Sequence, residues 1–117
     1  MRLNRVLAVF ALLLSGGAAA QTWTVPQELW AQPRTGTLVR AQPALRQSVG
    51  AYLAEPESRL VIHYGAGEEA ALQAEELRTW LVALAVEAGR IGLARDLKNN
   101  ESMNIELITT KPQEDRK

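Results

Sequence analysis

The chain has 117 residues, 13 basic and 13 acidic side chains, 47% hydrophobic residues, three tryptophans and no cysteine. That length holds one small domain with a single core, leaving no second lobe to form a deep interdomain cleft. Disulfides and a lipid-bearing cysteine are excluded, and the even charge balance argues against a nucleic-acid partner, which calls for a basic patch.

The N-terminus carries an address. Arg2 and Arg5 precede an unbroken apolar run from Val6 to Leu14, and the small residues that follow end in Ala18-Ala19-Ala20. This is the pattern of a cleaved secretory signal peptide over residues 1–20, and the run is too short for the ~20 apolar residues of a membrane span. The expected product begins at Gln21, carries a formal charge of about −2 once Arg2 and Arg5 are removed, and resides in the periplasm with no stable membrane anchor.

Residues 21–36 hold Pro26, Pro33 and Gly36 without a sustained period and read as an extended arm. Its Trp23 and Trp30 either pack back on the domain or meet a partner. The domain proper is expected over residues 37–109. It starts with a short strand at 37–40 and an amphipathic helix over 43–55, entered at Pro43 and stopped by Pro56, with Leu45, Val49, Tyr52 and Leu53 on its inner face. Residues 59–64, Arg-Leu-Val-Ile-His-Tyr, read as a central strand buried on both faces.

A long helix is expected over 68–88, with Leu77, Leu81, Leu84 and Ala88 on one stripe, Trp80 beside it and Gly89 as its C-terminal cap. Glu68 and Glu69 suit its positive start, and together with Glu75 and Glu76 they read as a solvated face. Ile91, Leu93 and Leu97, then Met103, Ile105 and Leu107, alternate around a turn at 98–101 and predict a closing hairpin. Residues 110–117 read as a polar tail. The expected fold is an α/β two-layer sandwich in βαβαββ order.

Over residues 59–108 the sequence resembles the C-terminal domain of outer-membrane protein A, the OmpA-like family. The resemblance rests on Leu60-Val61-Ile62-His63-Tyr64, Trp80-Leu81-Val82-Ala83-Leu84, Ala88-Gly89-Arg90-Ile91 and Asn104-Ile105-Glu106-Leu107-Ile108. It implies a wall-associated domain that holds the peptidoglycan stem peptide with an aspartate after the buried strand and an arginine on the long helix. Aligned from Arg90-Ile91, those positions fall on Gly65-Ala66 and on Gln73, so neither ligand residue is present; Arg78 stands about one turn further along. The 65–69 loop is short, and 96–103 lacks the family's long insertion. The resemblance thus implies a reduced OmpA-like fold with its usual ligand site lost or replaced.

Signs of other chemistry are weak. Gly65-Ala66-Gly67 lacks the third glycine and the lysine of a phosphate loop, and Glu68 and Glu69 would repel an anion. His63 is the only histidine, a poor start for a metal site, and reads as a hydrogen-bonded residue at the sheet end. Ser48, Ser58 and Ser102 have no visible general base, the paired glutamates have no cleft, and Asn100-Glu101-Ser102 is a chance-frequency sequon. Neither a cofactor nor a catalytic function is expected. The expectation is a non-catalytic binding or scaffold module of the cell envelope that meets an envelope protein through its arm and sheet edge, with candidate contacts at Trp23, Trp30 and His63. The alternative is peptidoglycan binding in a non-standard way through Gln73, Arg78 or the Glu68-Glu69 turn.

Overall fold

The computed structural model describes residues 21–109. The signal peptide expected at 1–20 and the tail expected at 110–117 lie outside the described residues. The described residues fold as an α/β domain with a four-stranded mixed sheet and three α-helices. Its elements are β1 (Gln21–Thr24), α1 (Gly36–Ala41), α2 (Pro43–Ala54), β2 (Arg59–Gly65), α3 (Glu68–Ala83), β3 (Ile91–Leu97) and β4 (Asn104–Ile108), with 3₁₀ turns at Gln27–Ala31 and Ala88–Arg90.

The strand order is β1-β4-β2-β3; β2 runs parallel to β3 and antiparallel to β4, and β1 runs antiparallel to β4. This corrects three local expectations. The segment read as a free arm contributes the edge strand β1 over Gln21–Thr24. Residues 37–40 are helical, because the Thr35 hydroxyl caps the Leu38 N–H and turns the chain before a strand can form. And β3 and β4 form no hairpin: β2 lies between them, its apolar residues taking the centre of the sheet.

Helix α2 begins where proline predicts. Pro43 occupies the first turn and the Gln42 side chain accepts the Ala44 N–H at 3.0 Å. It buries Ala44, Leu45, Val49 and Tyr52 but leaves Leu53 51% exposed, so Leu53 is off the inner face. Helix α3 buries Ala74, Leu77 and Leu81. It ends at Ala83, five residues short of the expected end at Ala88, and so before the glycine expected to cap it. Ala85 adopts φ 90°, its N–H meets the Val82 carbonyl at 3.0 Å, and the Val86 N–H meets the Leu81 carbonyl at 3.0 Å. These paired bonds are those of a Schellman cap, with Val86 buried behind it, and Gly89 falls in the following 3₁₀ turn.

The core lies between the helices and one side of the sheet, where Leu60, Ile62, Ile105 and Leu107 point. Strand alternation sends Arg59, Val61 and His63 to the other side, and all three stay partly exposed. The strand expected to be buried on both faces is therefore buried on one. Among the described residues nothing covers the second face.

Candidate functional site

The open face carries one polar cluster. Register places His63 of β2 beside Asn104 of β4 and Ala94 of β3; alternation sets Glu106 on the same face, and beyond the register shift that follows Ala94 the Asp96 side chain also turns to the ring. The His63 Nδ1 lies 3.0 Å from both Asp96 carboxylate oxygens, and Nε2 lies 2.8 Å from Glu106 Oε1. One ring thus ties three strands together. A neutral imidazole would set a lone pair against one of the carboxylates, so this geometry selects the imidazolium, donating from both nitrogens. Partial burial pulls the His63 pKa down, but the hydrogen bonds and charges of Asp96 and Glu106 together hold it above its ordinary value.

A second cluster fixes the N-terminal segment. Arg34 meets Glu76 of α3 through Nε to Oε2 at 2.8 Å and Nη2 to Oε1 at 3.0 Å, and the Trp80 indole N–H donates to the same Oε2 at 3.1 Å. Arg34 also donates to the backbone carbonyls of Trp30 and Gln32, and its guanidinium lies 5.2 Å from the Trp30 ring centroid. Hydrogen bonding from Arg34 holds the Glu76 carboxyl below its usual range against an upward push from burial, with Trp80 adding to the drop. Glu76 is therefore no part of a solvated row. Trp23 and Trp30 both pack against the core, so neither ring stands free at the end of an arm.

The third feature is a hollow of about 410 Å³ at the C-terminal end of β2, bounded by the 65–67 turn, the start of α3 and the loop before β4. It gathers Gly65, Gly67 and Gln73 with Gln27, Asn99 and Ser102, while Arg78 does not line it. The lining is amide-rich; its charged members are Glu69 and Glu101, and no lysine or arginine is among them. Such a surface offers hydrogen bonds to hydroxyl, amide or ammonium groups and repels carboxylates and phosphates.

The chain matches no protein-family model and no curated protein. Among the described residues, no three His, Cys, Asp or Glu side chains converge on a metal position, and no helix is long and apolar enough to cross a membrane.

Of the residues singled out in the sequence, His63 sits in the cluster on the open face, Gln73 in the hollow, and Trp23 and Trp30 in the packing of the N-terminal segment. These are separate places. Sequence reasoning missed Arg34, Asp96 and Glu106, whose partners lie on other elements. For Glu106 a signal was available: alternation in β4 puts it opposite the buried Ile105 and Leu107, the face that His63 shares.

Proposed function

We propose that the chain is a non-catalytic periplasmic binding or scaffold module of the bacterial cell envelope, acting through protein–protein contacts. The observation that carries this reading is the one-sided sheet: the helices of the described residues pack on one face, and the other stands open with partly exposed Val61 beside the charged Arg59, His63, Asp96 and Glu106. An uncovered sheet face on which a valine stands among charged side chains suits a protein partner, whose contacts combine apolar and polar groups. The signal-peptide pattern of residues 1–20 supports export. Since Trp23 and Trp30 pack inward, the contact surface is the open face and not the arm. Affinity capture from an envelope extract, comparing the natural chain with Val61→Arg, tests it. A partner held by the first and lost by the second supports the reading, and identical partner sets overturn it.

A second reading, peptidoglycan binding by a reduced OmpA-like domain with a non-standard site, is favoured by the hollow around Gln73. The resemblance and the hollow converge on the same turn, with Gln73 and Gly65 lining it. Its amides would meet sugar or peptide amides by neutral hydrogen bonding in place of an arginine–carboxylate pair. Co-sedimentation with purified cell-wall sacculi decides: retention that Gln73→Ala abolishes supports it, and no retention eliminates it.

A further inference from the structure

We propose that the hollow at the C-terminal end of β2 is a saccharide site selective for N-acetylated sugars. This ligand class specifies what a cell wall offers the hollow under the second reading above, on which it rests. The lining holds four carboxamides, those of Gln27, Gln73, Asn99 and Asn100. The only side-chain amides bonded within the described residues are those of Gln32 and Gln42, so the four at the hollow keep their full capacity for a ligand. Each sets donors and an acceptor side by side, the pattern that matches hydroxyls and secondary amides.

Two of these amides are carried on a locked turn. The Glu101 N–H donates to the Lys98 carbonyl at 3.0 Å and the Lys98 N–H donates to Glu101 Oε1 at 2.8 Å, which places Asn99 and Asn100 at the tip between them. The turn lies against the end of β2, since a Cβ on Gly65 would stand 3.6 Å from the Lys98 carbonyl oxygen. Gln73 projects from the second turn of α3, a regular helix. Groups held this way lose little freedom when a ligand arrives.

The remaining lining selects among ligands. Glu69 and Glu101 stand without a lysine or arginine, so carboxylated sugars and acidic peptides are repelled. Ala70 and the buried Met103 add an apolar part among the amides. An acetamido group meets both demands. Its N–H and C=O point in opposite directions and need two separate partners, which neighbouring carboxamides supply, while its methyl takes the apolar part. A sugar bearing only hydroxyls has no methyl to place there, and a deacetylated sugar brings an ammonium that must shed water against Met103. Both glutamates are exposed, so their pull on that ammonium is screened. The volume of about 410 Å³ falls in the range of small-ligand pockets.

Titration of the ¹⁵N-labelled protein with the tetramer of N-acetylglucosamine, followed by NMR, gives the first readout. Saturable shifts are expected in the side-chain amide signals of Gln73, Asn99 and Asn100, with weaker binding of cellotetraose and of the deacetylated tetramer. Gln73→Ala and Asn100→Ala, checked as folded by circular dichroism, should each weaken binding about threefold to tenfold, the loss of one net hydrogen bond. Equal binding of cellotetraose, or tighter binding of the deacetylated tetramer, overturns the selection for acetamido groups, and no shift with any of the three overturns the site. Co-sedimentation with sacculi separates this from the reading beneath it. Retention on sacculi without a saccharide response defeats the sugar site and leaves wall binding standing, whereas a saccharide response without retention supports the site and defeats wall binding.

Discussion

Arg34 reaches across 42 residues of sequence to grip Glu76 with two hydrogen bonds, and so closes the N-terminal segment onto α3. Trp80 donates to the same carboxylate and Trp30 lies under the same guanidinium. A group with three donors around it acts as a hub, whose removal leaves several partners without a mate.

Glu76→Gln is therefore expected to destabilise the fold more than Glu75→Gln, because Glu75 is exposed while Glu76 is partly buried among these donors. In a double-mutant cycle, Arg34→Ala and Glu76→Gln should cost less together than the sum of their single effects. The sign of the pH effect follows from the lowered folded-state pKa. Stabilisation is present above the ordinary value of about 4.5 and fades as pH falls through the folded value. Urea midpoints at acid pH check this, and equal acid-side slopes in natural protein and Glu76→Gln would refute it.

Ala85 occupies a left-handed position that glycine adopts without strain. Ala85→Gly should stabilise the protein by about 0.5–1 kcal/mol, the αL strain relieved less the chain entropy glycine adds. Ala85→Val, which adds a β-branch at the same angle, should destabilise it. Chemical denaturation of the three proteins reads the order directly. A natural protein more stable than the glycine variant would mean that the cap carries no strain.

This cap shows where the sequence stops being readable. The helical stripe of Leu77 and Leu81 and the Pro43 start were legible because they are local: spacing and one fixed φ decide them. The end of α3 was not, since Gly89 offered the usual cap while burial of Val86 won the position for Ala85. The same holds for the sheet. Apolar content placed β2 at the centre, yet alternation in β3 and β4 looked like a hairpin because strand order is set by which neighbour buries β2, a non-local choice. His63 was read as a hydrogen-bonded histidine, but its two carboxylates come from strands whose register no local pattern gives.

The imidazolium of His63 makes stability depend on pH near neutrality. Its folded-state pKa is raised, so its contribution is fully present below the ordinary value of about 6.5 and is lost as pH rises through the folded value. Above that point Asp96 and Glu106 face a neutral ring that donates to only one of them. The urea midpoint is expected to fall across this window, and His63→Asn to flatten the fall. A natural protein whose midpoint stays level from about pH 6 to pH 9 would remove the charged ring from the account.

The one-sided burial of β2 makes neighbouring substitutions differ sharply. Ile62 is fully buried against the helices, so Ile62→Ala removes packed methylenes and leaves a cavity, at a cost of about 2–5 kcal/mol. Val61 points the other way and is only partly covered, so Val61→Ala should cost under about 1 kcal/mol in the isolated chain. If a protein partner seats on the open face, the order reverses in binding: Val61→Ala weakens capture while Ile62→Ala, measured under conditions where the variant is still folded, leaves it nearly intact. Equal stability costs at the two positions would instead mean that something covers the second face of the strand in the free protein, and the open surface on which the scaffold reading stands would be gone.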